Sequence, residues 1–324
     1  MIEPPSWQPS ASLAALESRA RQLAWVRGFF AQRGVMEVET PVLGRYGVTD
    51  INIDSIPAGP TPLAAGSAEA WLQTSPEYHM KRLLAAGAGP VYQVARVFRD
   101  GESGRRHNPE FSLLEWYRPG FTDSDLMAEV SDLVCGWLGC EAPRTMRYRD
   151  VFLRFSGVDP FLASNAELSA RCEQWVEPSQ LQAFTRDDCL DLLMSCQVEP
   201  ALAGTGPVFV TGYPESQAAL ARVSEQDGLR QAHRFELYVQ GVELCNGYWE
   251  LTDCDEQRQR FAADNQARLA AGKPEMPIDQ DFLAALQAGV PDCAGVALGL
   301  DRLLMLKLGL DNLAGVIAFP ADRA

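Results

Sequence analysis

Two runs of residues constrain this chain more than any other part of it. In "PVYQVARVFRD" (90–100) and "FSLLEWY" (111–117) polar and apolar residues alternate, which is the period of a half-buried strand. Between them lies a basic turn holding Arg105, Arg106 and His107. Two such strands on so short a link pair antiparallel. Their register is fixed because a slip of one residue would exchange the two faces. The turn and both strand ends then surround one pocket. Arg99 ends the first strand and Phe111 opens the second. Guanidinium forks hold phosphate oxygens, and an aromatic face stacks on a base, so the combination suits a nucleotide. A solvated basic turn is the plainer alternative.

The rest of the chain extends this pattern. Residues 12–33 repeat apolar positions at helical spacing (Leu13, Leu16, Leu23, Val26, Phe29, Phe30) and stop at Gly34. "VMEVETPVL" reads as a strand interrupted by Pro41, residues 44–62 as loop, and "PEYHMKRLLAAG" as a short helix opened by Pro76 and closed by Gly87. Further helices are expected over 122–139, two or three times within 144–197, and over 255–272. One of these starts with a capping box from Thr185 to Asp188. Cys189 and Cys196, one heptad apart, should share a packed face. "PVFVTGYP" reads as a buried strand, and "HRFELYVQGVELCNGYWEL" as a hairpin turning near Gly241. The expected fold class is α+β, an antiparallel sheet flanked by helices, with 1–324 as a single domain.

Composition narrows the function. At 47% apolar residues in 324, a large core is expected and disorder is not. No run of eighteen apolar residues occurs, and the first residues have no signal-peptide pattern, so a cytoplasmic protein with no membrane partner is expected. None of the eight cysteines forms a C-x-x-C pair, which argues against zinc and for a reducing compartment. The net charge is −15, and only Lys81, Lys273 and Lys307 are lysines. Such a chain is a poor general binder of nucleic acid, because phosphate contacts supply most of that affinity. A basic protein partner, or a small anion held by local arginines, suits it better.

Two further elements carry chemistry. In the second hairpin, Glu236, Glu243 and Glu250 are spaced by seven, and a turn between the first two could return both to one site. Carboxylates on neighbouring strands bind Mg²⁺, which also bridges nucleotide phosphates; charge on a wet sheet face is the alternative. In "GVALGLDRLLM", Gly295 and Gly299 permit close approach, and Arg302 lies in the first turn of a helix, where backbone N–H groups also favour an anion. A tightly packed strand-to-helix joint would read the same way.

Together and in this order, these segments resemble the catalytic domain of class II aminoacyl-tRNA synthetases, within the lysyl subgroup. "GVMEVETPVL", "FRDGESGRRHNPEFSLLEWY" and "GVALGLDR" are similar to its three motifs, and the likeness runs from about residue 15 to the end. It implies an ATP- and Mg²⁺-dependent enzyme that adenylates an amino acid, and a homodimer formed through the motif containing Pro41. Arg99 would hold the α-phosphate and the amino-acid carboxylate, with Asp100 and Gly101 beside it at the nucleotide. His107 would approach the outer phosphates, and Asn108 the adenine. Phe111 and Arg302 would sandwich the adenine ring, with Gly299, Glu243 and Leu244 also at the nucleotide. Glu236 and Glu243 would coordinate the metal. Ser75, Pro76 and Glu77, with Glu115, Tyr117, Asn246, Tyr248, Glu250 and Ala297, would form the amino-acid pocket. Arg99 and Arg302 are the expected catalytic pair. Cations at the α-phosphate relieve repulsion between two reacting anions and stabilise the transition state. A pocket with Glu77, Glu115 and Glu250 wants a substrate with two ammonium groups. His79 and His233 are expected to have no catalytic role.

Only about a dozen residues precede the first helix, so no anticodon-binding domain and no tRNA partner are expected. Length and order resemble the stand-alone paralogues of the lysyl-tRNA synthetase catalytic domain, which join (R)-β-lysine to a lysine ε-amine of elongation factor P. Ala297 stands where lysyl-tRNA synthetases have glycine, and its methyl would shorten the pocket in a way that suits a β-amino acid. The second motif departs from its usual Arg-x-Glu: here Arg99-Asp100-Gly101 is followed by Glu102 one place late. The usual contact of that glutamate near the adenine is therefore open. A catalytically inactive amino-acid sensor, a truncated lysine-activating synthetase and an ammonia-dependent asparagine synthetase remain as alternatives.

Overall fold

The computed structural model describes residues 7–59 and 69–324; the first six residues and the end of the 44–62 loop lie outside them. In chain order the elements are α1 (Leu13–Gln32), β1 (Met36–Glu37), β2 (Leu43–Gly44), β3 (Pro57–Gly59), β4 (Ala70–Leu72), α2 (Glu77–Ala85), β5 (Val91–Phe98) and β6 (Glu110–Pro119). Then come α3 (Asp123–Leu138), β7 (Arg144–Arg147), α4 (Tyr148–Phe155), α5 (Asn165–Cys172), α6 (Pro178–Leu181), α7 (Arg186–Leu193), α8 (Glu199–Leu202), β8 (Val208–Pro214), β9 (Val223–Gln226), β10 (Leu229–Val239) and β11 (Val242–Trp249). The chain closes with α9 (Cys254–Ala270), α10 (Gln280–Gly289), β12 (Cys293–Gly299) and α11 (Leu300–Lys307). It divides into two compact units, Met1–Phe121 with Leu251–Ala324, and Thr122–Glu250.

In the first unit the strands run β1-β5-β6-β12, antiparallel except for the short β1 beside β5. β1 pairs through only two residues, where the sequence pattern suggested a longer strand. β6 is central, and its alternation separates two environments. Leu114 and Trp116 face Phe30 of α1, whose ring stacks on Tyr92 at 4.3 Å and meets Trp116 edge-on at 5.4 Å. Phe111, Leu113, Glu115 and Tyr117 occupy the other face. The buried stripe of α1 differs from the expected one: Leu13 is exposed, while Ser18 and Gln22 are buried. Gln22 Nε2 donates to the Leu300 carbonyl at 3.0 Å. Arg19 pairs with the buried Asp301, which also accepts the Ser112 N–H at 2.7 Å. A buried carboxylate satisfied in this way fixes the start of α11 on β6.

In the second unit the order is β11-β10-β8-β7, with β9 on the end of β10. β7 and β8 run parallel, and the other pairs are antiparallel. A core built from Tyr148, Phe152, Leu168, Leu190, Leu193, Val208 and Val210, among others, packs α4, α5 and α7 onto this sheet. The capping box at Thr185 is present. Cys189 is buried but Cys196 only half-buried, because α7 widens into a π-turn over Met194–Val198 and loses the heptad register. β9 and the first residues of β10 were not anticipated. They turn at Asp227-Gly228, where both φ angles are positive (53° and 74°), as a two-residue hairpin requires. His233 bridges Asp123 at 3.1 Å and Ser224 at 2.8 Å and so ties α3 to this hairpin.

The β10–β11 turn repeats the device at Gln240-Gly241, with φ of 53° and 69°. A Cβ on Gly241 would lie 2.5 Å from the Glu199 carbonyl oxygen. Gly241→Ala should therefore lose on the order of 2 kcal/mol or more from backbone strain and this clash. Urea unfolding checks it, and a midpoint equal to that of the unmutated chain would refute it.

Candidate active site

The basic turn of the first unit is braced on all sides. Gly104 and His107 bridge each other, the Leu313 N–H donates to the Arg105 carbonyl, and Arg105 pairs with Asp311. The Asn108 side chain is nearly buried and tied to backbone: Nδ2 donates to the Glu110 carbonyl at 2.6 Å, and Oδ1 accepts the Ala321 N–H at 3.0 Å. Asp100 accepts the N–H of Gly101, whose φ is +73°. Arg99 leaves the end of β5 with its guanidinium carbon 5.0 Å from the centre of the Phe111 ring. Its Nη1 meets Glu102 Oε1 at 3.4 Å, so the late glutamate of the second motif reaches the motif arginine. Arg302 Nη2 donates to His107 Nε2 at 2.8 Å and Nε to the Arg106 carbonyl at 3.3 Å. Burial first, then the charge of Arg302, holds His107 below its ordinary pKa. His107 is thus a neutral acceptor beside two guanidinium groups. The cluster offers cations and an aromatic face at one end of β5 and β6, as the alternation required. Here Arg99 lies over Phe111, and Arg302 is engaged with His107.

Further along the same face of β6 lies a buried carboxyl. Glu115 is 2% exposed. Its Oε2 accepts from Ser75 Oγ at 2.8 Å and its Oε1 from Tyr117 OH at 2.7 Å. Ser75 Oγ also accepts the Glu77 N–H at 3.0 Å, which seats the first turn of α2 against β6. Pro76 caps that helix. Directly opposite Glu115 stand Gln93 on β5 and Ala297 on β12. Ala297 packs with Phe111 against Ala95, Val97 and Leu113, while Gly295 and Gly299 face Tyr117 and Leu113. Small residues on β12 leave room above β6. Burial, then repulsion from Glu77, raises the Glu115 pKa to about 8. Lys81, whose Nζ lies 2.6 Å from Glu77 Oε1 and which is 1% exposed, was not among the anticipated site residues. Its signal was present in the sequence as a glutamate–lysine pair four apart on a helix.

In the second unit Glu236, Asn246 and Tyr248 share one face of the hairpin: Glu236 pairs with Asn246, and Arg234 with Tyr248. A register shift after Leu237, which absorbs Leu244, brings Glu243 opposite Tyr238 on that same face. Glu236 and Glu243 line a common cavity of about 170 Å³, with Arg234, Asp191, Glu199 and three tyrosines. Glu236 already has partners. Arg234 donates to Oε1 at 2.5 Å, and Tyr213 and Tyr238 donate to Oε2 at 2.6 and 2.5 Å. Burial raises the pKa of Asp191 there to about 6. Asn246 donates to Tyr248 OH at 2.9 Å and accepts from Arg234. Glu250 is buried at the end of β11 and bridged to Ala221. Tyr148 and Tyr213 come from other elements and share no spacing with Glu236, but Arg234 and Tyr238 lie two residues either side of it on β10, so their signal was present in the strand alternation. Among the described residues, no three His, Cys, Asp or Glu side chains are grouped to hold a metal by themselves. A cation here would need ligand oxygens from a bound phosphate. No helix among the described residues is long and apolar enough to cross a membrane.

The cationic turn, the aromatic platform and the buried acid on one antiparallel sheet define an enzyme class. The chain belongs to the class II tRNA synthetase family that covers the D, K and N types, whose model matches residues 7–323. Over the full length of both chains it is 48% identical to the elongation factor P–(R)-β-lysine ligase of Pasteurella multocida (strain Pm70). It is also 49% identical to the proteins of that name from Proteus mirabilis (strain HI4320) and Photorhabdus laumondii, again with both chains fully covered.

The raised pKa of Glu115 has a direct consequence for ligands. An ammonium group favours the ionised carboxylate, so below about pH 8 its binding should release a proton. Affinity for a cationic amine should rise with pH toward that value and then level off, while ATP affinity should not follow. Calorimetry in two buffers of different ionisation enthalpy would count the proton; no proton release at pH 7 would refute the assignment. The same shift means Glu115 binds more protons folded than unfolded. Its contribution to stability is therefore lost as pH rises from the ordinary carboxyl range toward 8.

Proposed function

We propose that this chain activates (R)-β-lysine with ATP and transfers it to the ε-amine of a specific lysine of elongation factor P. Residues 1–324 would act as one catalytic domain, in the cytoplasm, without tRNA, and as a homodimer through the Pro41 segment. The observation that carries this reading is a buried carboxyl, Glu115, seated between Ser75 and Tyr117 in a chain that matches the named ligases along its whole length. A buried acid with a raised pKa is costly unless a cation completes it, and a diamino acid supplies that cation. A catalytically inactive sensor is disfavoured, since Arg99, His107, Phe111 and Arg302 are all retained and ordered into one cluster.

The first step joins two anions. The substrate carboxylate oxygen attacks the α-phosphorus, the bond to the β-phosphate oxygen breaks, and pyrophosphate leaves. Arg99, in reach of both Phe111 and Glu102, is placed to neutralise the α-phosphate and the incoming carboxylate. Neutral His107 and charged Arg302 meet the outer phosphates and the base. Phe111 supplies the stacking face. The Asn108 side chain is committed to the turn, so adenine would be read there by backbone. Asp100, Gly101, Gly299 and Leu244 shape the nucleotide site by backbone approach. In the second step the acceptor amine attacks the adenylate carbonyl carbon, AMP departs with the carboxyl oxygen, and the amine gives up a proton. Glu77, Glu115 and Tyr117 would hold the substrate amines; the resemblance also assigns Asn246, Tyr248 and Glu250 of the second unit to the amino acid.

Glu236 and Glu243 share a cavity also lined by Asp191, Glu199 and Arg234, and they are the residues that would hold a divalent cation. Such a cation would neutralise charge on the departing pyrophosphate. At Glu236 it would have to share Oε1 with Arg234.

ATP–pyrophosphate exchange with (R)-β-lysine and L-α-lysine in parallel tests the reading, followed by mass spectrometry of elongation factor P. Exchange should favour the β-amino acid, and Arg302→Ala should reduce it by roughly a hundred- to thousand-fold. Equal or better exchange with L-α-lysine would overturn the substrate. A folded protein that binds ATP and exchanges neither amino acid would overturn the enzyme and favour the sensor.

A further inference from the structure

The amino-acid pocket contains a cation of its own. Glu77 opens α2 and Lys81 follows one turn later on the same face. Lys81 Nζ lies 2.6 Å from Glu77 Oε1, with the lysine side chain 1% and the glutamate side chain 16% exposed. The ammonium also lies 6.0 Å from the Tyr117 ring centre and 5.8 Å from that of Phe282, within or near the range where an aromatic face attracts a cation. Lysine is among the residues least often fully buried, and when buried it is paired. A glutamate–lysine pair on a wet helix contributes little, because water screens it. This one is out of water and next to a second carboxyl. Glu115 feels Glu77 as a repulsive neighbour and Lys81 as an attractive one. The groups bonded to Glu115 or paired with it in register are uncharged: Ser75, Tyr117, and Gln93 and Ala297 on the flanking strands.

We propose that Lys81 is a positioning and specificity-determining residue of this site: it holds the Glu77 carboxylate in place and cancels one of the two glutamate charges. Of the two acids, Glu77 then meets the substrate amines as an already paired group, and Glu115, which Lys81 does not contact directly, is the carboxyl left to gain most from a substrate ammonium. Without Lys81 the repulsion between the two carboxyls would grow, and the proton that Glu115 carries below about pH 8 would be harder to exchange for a substrate amine. Glu77 without Lys81 would also lose the contact that fixes its rotamer. Lys81 thus acts through Glu77 and touches no reacting atom. This inference rests on the amino-acid site proposed above.

The test is a double-mutant cycle of Lys81→Met and Glu77→Gln, read by ATP–pyrophosphate exchange against pH, with thermal unfolding as the folding control. Lys81→Met should raise KM for the amino acid by about tenfold or more, leave KM for ATP unchanged, and move the pH at which amino-acid KM levels off upward. In the Glu77→Gln background the same substitution should change amino-acid KM by less than about threefold, because the partner charge is gone. A folded Lys81→Met enzyme with the original amino-acid KM and pH profile would overturn the proposal. So would equal changes in both KM values, which mark a merely structural lysine. If Lys81→Met alone does not fold, Glu77→Gln compared with the double variant decides: a tenfold further loss there sinks the coupling. If the unmutated enzyme exchanges no diamino acid, the substrate reading has failed instead, which separates the two outcomes.

Discussion

Strand β6 must keep a carboxyl and an indole out of water on successive residues. Glu115 and Trp116 are both almost fully buried, and they point to opposite faces because a strand alternates with a period of two. Trp116 meets Phe30 of α1, while Glu115 meets Ser75 and Tyr117. A register slip of one residue would drive the carboxyl into the aromatic cluster without a partner, at the cost of an unsatisfied buried charge. The pairing of β6 with β5 and β12 prevents it, and each neighbour repeats the division: Tyr92 and Val296 stand beside Trp116, Gln93 and Ala297 beside Glu115. The site depends on that register. Phe111, Glu115 and Tyr117 share a face only while it holds.

Charge is handled differently at the two ends of that face. At the turn, Arg99 and Arg302 are satisfied by soft partners: a phenyl face, a neutral imidazole, backbone carbonyls and one glutamate at 3.4 Å. Contacts of this kind can be exchanged for phosphate oxygens at modest cost. At the other end the partners are hard and permanent. Glu77 is tied to Lys81, and Glu115 to two hydroxyls. On the proposed function, the groups that would meet phosphate have exchangeable partners, and the carboxyls that would meet an amine have fixed ones. This suits a nucleotide that arrives with its own large charge and an amino acid whose recognition rests on one or two ammonium groups.

Much of this was legible in the sequence because it is local. The alternation in 90–100 and 111–117 fixed the hairpin, its faces and the placing of Arg99, Phe111, Glu115 and Tyr117 around it. The spacing of Glu236 and Glu243 anticipated a turn that returns both to one cavity. What stayed hidden depends on contacts between elements or on departures from ideal period. The π-turn after Leu193 broke a heptad that the sequence displays. β9 was overlooked although Asp227-Gly228 is a strong hairpin signal. The polar stripe of Ser18 and Gln22 on α1 is buried because Leu300 offers a carbonyl and Asp301 a partner for Arg19, which no periodicity reveals. Arg234 and Tyr238 stand two residues either side of Glu236 on β10, a spacing the strand period makes legible, whereas its third partner, Tyr213, comes from β8 and could not be read that way. Lys81 is intermediate: its pairing with Glu77 is local, but its burial is tertiary.

Selectivity for a β-amino acid cannot rest on charge alone, because α-lysine carries the same two ammonium groups. On the proposed function it would come from where the pocket places them, and Ala297 would set the depth. Its Cα stands opposite Glu115 across the strand pair, and its methyl is packed on the Ala95, Val97 and Leu113 floor beside Phe111. The methyl is therefore supported from beneath and cannot yield by moving down. One methyl in an apolar wall discriminates by about 1–3 kcal/mol, which becomes effective only if the amine is held at a fixed height. Glu115 supplies that height: two hydroxyl donors fix both of its oxygens, so a substrate whose amine sits one carbon nearer the reacting carboxyl has to leave either the carboxylate or the wall. A rigid acid and a supported methyl on facing residues would together do what neither would do alone.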